Sequence, residues 1–539
     1  MKHTLLLLLT VILAMAAVAQ EKLPNDYLTP AFHAGRREAL RSLMPPHSVT
    51  AIFSYPTRTF SNDISYPYHP NPDLYYFSGY KEPQSVLLIF KEPQRNADGK
   101  MVRELFFVQR RDPRQELWTG RRLGVEKVKS ELGFDSSTVF NGSSFKDYPI
   151  DLSSFDQIFF AGLPDDVHDD LSDAADLYDL LQAFKKKAAL PEDYDGAIYN
   201  LVGLLAERVS PSYLKNAIAY VNLQRGSNEK FRNSQLLTDF VNCKDSADLA
   251  AFRQKVGALK WNSYEYTHMI AALREIKTPE EMALMRKTVS ISAIAHAEVM
   301  KAIRPGMGEA ELQGLQEYVH KKLGAEYVGY PSIVGAGANG CILHYEENAL
   351  VNIGHDMVLM DIGAEYHGYS ADVTRTVPST GKFNPEQKAI YDLVYQAQEA
   401  IFPLCHEGTP FQDLNKKATE VLAAGLVKLG IIKDPAQVTL YYPHSCSHFL
   451  GLDVHDAGND DGPLKENMVI TVEPGIYIPE GSACDKKWWN IGVRIEDDVR
   501  IGKEKYELLS WQAPRRSADV EKMRLQKSAV NGLVLPAVK

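Results

Sequence analysis

Two stretches of the chain carry the same alternation of apolar and polar positions. The first opens on Thr278-Pro279-Glu280-Glu281, a cap, a proline at the first helical position and an acid three residues after the cap. Helical spacing follows through Met282, Met285, Val289 and Ile294, breaks at Arg304-Pro305-Gly306, and resumes through Leu312, Leu315, Val319 and Leu323. The second opens on Asn384-Pro385-Glu386-Gln387, runs through Ile390, Leu393 and Val394, breaks at Gly408-Thr409-Pro410 and resumes from Leu414 to Leu429. Strand-like sequence rich in polar residues follows each pair. The pattern predicts a helix hairpin with a sheet, used twice about a pseudo-twofold.

Upstream, from about residue 20 to 265, apolar runs such as Ser85–Phe90 and Leu105–Val108 alternate with helical stretches, which reads as a separate α/β domain. Within it, residues 163–181 are Asp-rich and residues 223–262 are polar and weakly periodic, as expected of solvated loops or surface helices. The first residues give a short basic start, an apolar run from Leu5 to about Leu13 and Ala17-Val18-Ala19, the layout of a cleavable export signal over 1–19. The expected location is therefore periplasmic or secreted, with no membrane contact after cleavage. The divisions expected are 1–19, 20–265, 266–516 and a tail over 517–539.

Composition narrows the field. With 539 residues, 45% hydrophobic and 24% charged, the chain is long enough for two or three cored domains. A formal net charge of −10 lacks the basic field that a phosphate backbone requires, so nucleic acid is excluded as an expected partner. Five widely spaced cysteines form neither a disulfide framework nor a C-x-x-C metal clasp.

The chemistry gathers in the second half. Val358–Gly363 and Ala371–Thr376 flank a turn that includes Glu365-Tyr366-His367-Gly368, and a register symmetric about Tyr366 and His367 would set Asp361 opposite Asp372. Val472–Tyr477 and Gly492–Asp497 repeat the construction, with Glu473 opposite Glu496 and with Tyr477 and Arg494 on the face of those acids. Between them, residues 444–456 hold three of the fifteen histidines, His444, His448 and His455. Clustered carboxylates repel unless something positive sits among them. Four carboxylates and one neutral imidazole carry −4, which two divalent ions cancel, and oxygen-rich ligation favours manganese or similar ions. Ordinary salt bridges near strand ends remain the alternative at this level.

The motifs MDIGAEYHGYSADVTRT, HSCSHFLGLDVHD, VEPGIY and VRIEDD resemble the successive metal-site motifs of the pita-bread-fold metallopeptidases. That resemblance implies an α/β N-terminal domain followed by an α+β pita-bread catalytic domain. It implies two divalent ions, most simply Mn2+ with Zn2+ or Co2+ as alternatives. Asp361 and Glu473 would be terminal ligands, His448 the imidazole ligand, and Asp372 and Glu496 bridges. It also implies His344 and His455 as groups that hold substrate or stabilise the tetrahedral intermediate, Glu473 as proton shuttle, and His444, Tyr477 and Arg494 around a proline-accepting pocket. Upstream, Tyr66-Pro67-Tyr68, Asp73–Tyr80 and Glu116–Arg122 resemble the aminopeptidase P branch, which removes the first residue of peptides with proline second. There a bridging hydroxide attacks the X-Pro bond. Trp118 matches a tryptophan that can approach a neighbouring subunit's active site, implying a dimer or tetramer, with a buried core tryptophan as the alternative. A prolidase acting on X-Pro dipeptides and a catalytically silent peptide-binding relative are the competing expectations. The region between Arg122 and Lys277 is longer than in compact bacterial members, which points to an insertion affecting assembly or access.

Overall fold

The computed structural model describes residues 26–168 and 176–531. The export signal expected over 1–19 and the centre of the Asp-rich stretch lie outside these residues. Among the described residues no helix is long and apolar enough to cross a membrane.

The N-terminal domain begins with helix α1 (Pro30–Leu43), capped by the Thr29 side chain accepting from Phe32 N. Its six-stranded sheet comprises β1 (Ser48–Phe53), β2 (Val86–Arg95), β3 (Met101–Val108), β4 (Val139–Asn141), β5 (Gln157–Phe159) and β6 (Trp261–Asn262), in the order β4-β3-β2-β1-β5-β6. The three central strands pair antiparallel and the outer ones add parallel. Side chains alternate across a strand, so one apolar run serves two cores. Leu87, Ile89 and Phe106 face one core that is shared with the catalytic domain, and Leu88, Phe90 and Phe107 face the other.

Between β5 and β6 the long region folds into helices, among them Gly196–Arg208, Leu214–Ser227, Gln235–Val241 and Ser246–Gly257. They bury Val202, Leu205, Leu237, Phe240, Phe252 and Val256 against one another, a small core of their own. The weak periodicity of residues 223–262 reflects how few positions on each short helix this core needs. Helix α2 (Ser263–Arg274) then leads into the catalytic domain.

Both predicted helix hairpins are present, as α3 (Pro279–Ala302) with α4 (Glu309–Lys322) and α5 (Pro385–Ile401) with α6 (Phe411–Lys428). Reciprocal capping boxes form at Thr278/Glu281 and Asn384/Gln387. The strands that carry or back the site are β7 (Ile333–Ala336), β8 (Met357–Asp361), β9 (Ala364–Tyr366), β10 (Tyr369–Ser370), β11 (Thr374–Pro378), β12 (Val469–Val472), β13 (Gly475–Ile478), β14 (Ile491–Arg494) and β15 (Asp497–Arg500), with short edge strands at Tyr327–Val328 and Glu507–Leu508. One continuous core joins Val299, Leu312, Val358, Ile390, Leu422 and Val499 behind these strands. Beyond them, α7 (Ser517–Met523) packs on α3 and α5, and Ser528 donates to the backbone of Glu298. All five cysteines are free.

A polar cluster fastens the two domains. Glu326 accepts from Lys81 at 3.2 Å, lies 3.2 Å from His367 and also takes the Tyr27 hydroxyl. Burial would raise its carboxyl, but His367, Lys81 and Tyr27 outweigh it and hold the group down at about 2 against an ordinary 4.5. A depressed carboxyl stabilises the fold above its unfolded pKa, and the contribution is lost as pH falls toward the folded value. Glu326→Gln is expected to lower the unfolding midpoint at pH 7 by the equivalent of roughly 1–2 kcal/mol, after allowing for solvent screening. The gap to wild type should narrow from about pH 4.5 downward. Unfolding midpoints measured from pH 7 to 3 check this, and a gap that stays constant below pH 4.5 would refute it.

Candidate metal centre and active site

β8 ends on Asp361, and the chain returns through a two-residue turn at His367-Gly368, both at positive φ (51° and 85°). That is the turn geometry whose twist suits a tight hairpin. The pairs Tyr366↔Tyr369 and Glu365↔Ser370 close it, and the same register sets Asp361 opposite Thr374. The symmetric pairing of Asp361 with Asp372 is therefore corrected by one position at the turn centre and two in the partner. Side chains two apart share a face, so Asp372 still stands on the face of Asp361, diagonally rather than directly across. The Tyr330 hydroxyl spans both, 2.5 Å from Asp361 and 2.7 Å from Asp372.

In the second hairpin, Val472↔Asp497 and Gly475↔Arg494 bracket the gap between paired segments, and this register places Glu473 across from Glu496 as expected. Tyr477 and Arg494 do share that face, with Arg494 Nη1 2.9 Å from the Tyr477 hydroxyl. Arg494 also donates to Asp361 at 2.5 Å and to Thr374 at 3.0 Å, and Thr374 donates to Glu496 at 2.6 Å.

The histidine segment lies along β12, with Thr471 N donating to His448 O and Glu473 N to Cys446 O. His448 Nδ1 meets the Phe449 carbonyl at 2.9 Å, which leaves Nε2 facing Asp372 at 3.4 Å and Glu473 at 3.5 Å. A main-chain partner on one ring nitrogen is how metal-ligating imidazoles are commonly oriented. His444 Nε2 lies 2.9 Å from the Tyr477 hydroxyl. His455 meets His448 edge-on, ring centroids 4.5 Å apart. His344 is exposed on the segment after Gly337–Cys341, close enough to add to the depression of His444 and His455, both held down first by burial.

Electrostatics identify what the cluster lacks. Burial raises Glu496 well above the carboxylate range, and Asp372, Glu473 and Asp361 add to the rise. Asp372 is raised by burial and by Asp361, and Glu473 is pushed by burial to about 7 although His448 and Arg494 pull it down. Burial opposes a proton on His448, yet Asp372 and Glu473 lift it to about 9. Asp361 alone is lowered: burial opposes this, and Arg494 outweighs it. One Glu496 oxygen, Oε1, is buried with no hydrogen-bond partner. Donor atoms of Asp372, His448 and Glu496 lie within 4.8 Å of one another. Oxygen-rich, mutually repelling donors with an orphaned carboxylate oxygen fit a divalent cation.

The model of metallopeptidase family M24 matches residues 283–503, and that of the aminopeptidase P N-terminal domain matches 33–150. The Xaa-Pro aminopeptidase of Escherichia coli (strain K12) is 32% identical over 497 residues, covering 90% of this chain and 96% of the relative. The chain belongs to the Xaa-Pro aminopeptidases of metallopeptidase family M24. Xaa-Pro aminopeptidase 3 of Rattus norvegicus, another relative of this M24 chain, is 29% identical over 92% of this chain and 86% of its own. Aminopeptidase P from E. coli with the inhibitor Pro-Leu superimposes with a TM-score of 0.71 at 30% identity, covering 93% of this chain and 99% of that one. A zinc-substituted form of that enzyme with product gives 0.70.

Within this M24 fold, Asp361, Asp372, His448, Glu473 and Glu496 come together, with His344, His444, His455, Tyr477 and Arg494 around them. Trp118 does not join them: it is 91% exposed on a short helix beside Leu117, which also rules out a core role. Tyr330 and Asp498 were not anticipated. Asp498 accepts from Asp372 N at 3.0 Å and leaves its other oxygen, Oδ1, buried and unpaired. It sits inside the quoted VRIEDD run, whereas Gly329-Tyr330-Pro331 carries only a loop signal in the sequence.

Proposed function

We propose that this chain removes the first residue from peptides whose second residue is proline, using two divalent ions held by Asp361, Asp372, His448, Glu473 and Glu496. The observation that carries the reading is the buried, mutually repelling carboxylate set around His448 within an M24 fold. Manganese suits the four carboxylates and one imidazole best. Bound metal would polarise the scissile carbonyl and make the attacking water easier to deprotonate.

The protein groups do the rest. An X-Pro bond is a tertiary amide without an N–H, so its leaving nitrogen must be protonated as the C–N bond breaks. Glu473 takes the water proton and passes it to that nitrogen. His344 and His455 donate to the oxygen on which charge develops. His444 and Tyr477, 2.9 Å apart, wall the space for the proline ring. Arg494 fixes Asp361 and Tyr477 in one arrangement. The leader supports export to the periplasm or exterior, and the exposure of Leu117 and Trp118 supports an oligomeric contact.

A panel of X-Pro-Y peptides, with and without manganese, tests the reading. Release of free X from tripeptides and longer peptides, restored by metal after chelation, is expected. Cleavage of Gly-Pro alone would point to a prolidase, and no cleavage with tight peptide binding to a silent relative.

A further inference from the structure

A cavity of about 560 Å³ lies between His455, at the edge of the site, and the helices that follow β5. His455, Asp453 and Asp456 border it on the catalytic side, Asp73 on the N-terminal domain side, and Leu204 and Glu207 on the insertion helix Gly196–Arg208. Asn200, Gly203, Leu204 and Glu207 recur at helical spacing, so they form one face of that helix and all four turn toward this space.

Three contacts hold this wall in place. Gly203 packs so closely on Tyr264 of α2 that an added Cβ would meet the ring at 2.7 Å. Glu207 lies 3.7 Å from His268 of α2, and Arg208 reaches Asp460, just beyond the His455 loop, at 3.3 Å. The wall offers an apolar surface in Leu204, which is 51% exposed. Its charge is negative on balance, with Asp73, Asp453, Asp456 and Glu207 set against Arg274; Asp453 keeps 45% of its side chain exposed and Glu207 27%, the latter no closer than 3.7 Å to His268 and 4.0 Å to Arg208.

We infer that the insertion builds a binding groove for the part of the substrate that follows proline, and that this groove prefers long peptides with a basic residue there. The inference rests on the Xaa-Pro aminopeptidase reading. An aminopeptidase accepts only one residue on the amino side of the scissile bond, so a cavity of this size opening at His455 serves the leaving peptide. Main-chain and apolar contacts with Leu204 would give length dependence, and Glu207 with Asp453 would give the charge preference.

The test compares Ala-Pro-Ala with octapeptides beginning Ala-Pro and carrying lysine or glutamate at one of positions four to seven. Wild type should favour the best lysine octapeptide over its glutamate counterpart in kcat/KM by up to about fivefold, chiefly through KM. Glu207→Lys should reverse that order, Leu204→Ser should weaken binding of both octapeptides, and neither should change turnover of Ala-Pro-Ala. Unchanged octapeptide selectivity in Glu207→Lys, with Ala-Pro-Ala still cleaved, would overturn the groove while leaving the Xaa-Pro reading intact. Failure of wild type to cleave any of the peptides would overturn the underlying reading instead.

Discussion

Asp372→Ala should lose both bound metal and turnover while remaining folded. Asp372 is the carboxylate on which the site converges: Tyr330 donates to it, His448 faces it at 3.4 Å, and its own N–H is taken by Asp498. Alanine keeps that backbone hydrogen bond and removes only the acid. Among the protein groups alone Asp372 is an unfavourable anion, raised by burial and by Asp361, so its removal relieves repulsion. The metal-stripped variant should therefore unfold no more easily than metal-stripped wild type, the pattern of a residue retained for function at a cost in stability. Elemental analysis should find the metal-to-protein ratio depleted, and X-Pro cleavage should fall to the detection limit. Wild-type metal content, or a rate above about a tenth of wild type, would remove Asp372 from the centre.

Much of this site was readable because its determinants are local. The capping boxes at Thr278/Glu281 and Asn384/Gln387 involve contacts three residues apart, and they form as written. The Glu473/Glu496 register also followed, since its long connection left the pairing to the strands themselves. The Asp361/Asp372 register did not. Placing the turn centre at His367-Gly368 depends on His367 accepting a positive φ, an uncommon conformation for a residue with a side chain. Tyr330 was hidden for another reason: its hydroxyl reaches carboxylates 31 and 42 residues away, and nothing near it in sequence signals that contact. The long region between Arg122 and Lys277 was readable only as length, because its core joins residues as far apart as Ile198 and Val256, beyond what periodicity within one helix conveys.

The other large effect lies where the domains meet. Arg274, with 4% of its side chain exposed, donates to Asp73 at 2.8 Å and to Asp453 at 2.7 Å, and it also contacts Asp456. Lys277 reaches Asp456 at 2.8 Å. Removing one partner from a buried ion pair costs about 3–5 kcal/mol because the other charge is left uncompensated. Arg274→Met fills much of the same space, yet it takes the cation from three acids and leaves Asp453 with none. The Tyr266 hydroxyl remains on Asp73 at 2.7 Å and Lys277 remains on Asp456, which puts the expected loss at the lower end of that range, about 3 kcal/mol. The activity effect follows from adjacency: Arg274 and Lys277 anchor Asp456, the neighbour of His455, and under the proposed mechanism a loosened His455 would donate less effectively to the developing oxyanion. Turnover of X-Pro peptides should fall about 10- to 100-fold with a smaller change in KM. Asp453→Asn in the same background tests the cause, because Asp453 has Arg274 as its only ion-pair partner among the described residues. If the network is the origin, the double variant should recover part of the stability that Arg274→Met loses, because the stranded charge is gone. A loss below about 1 kcal/mol for Arg274→Met, or strictly additive effects, would mean that the acids are satisfied without Arg274 and that the His455 loop is held by the Asp456 N–H on the Phe449 carbonyl.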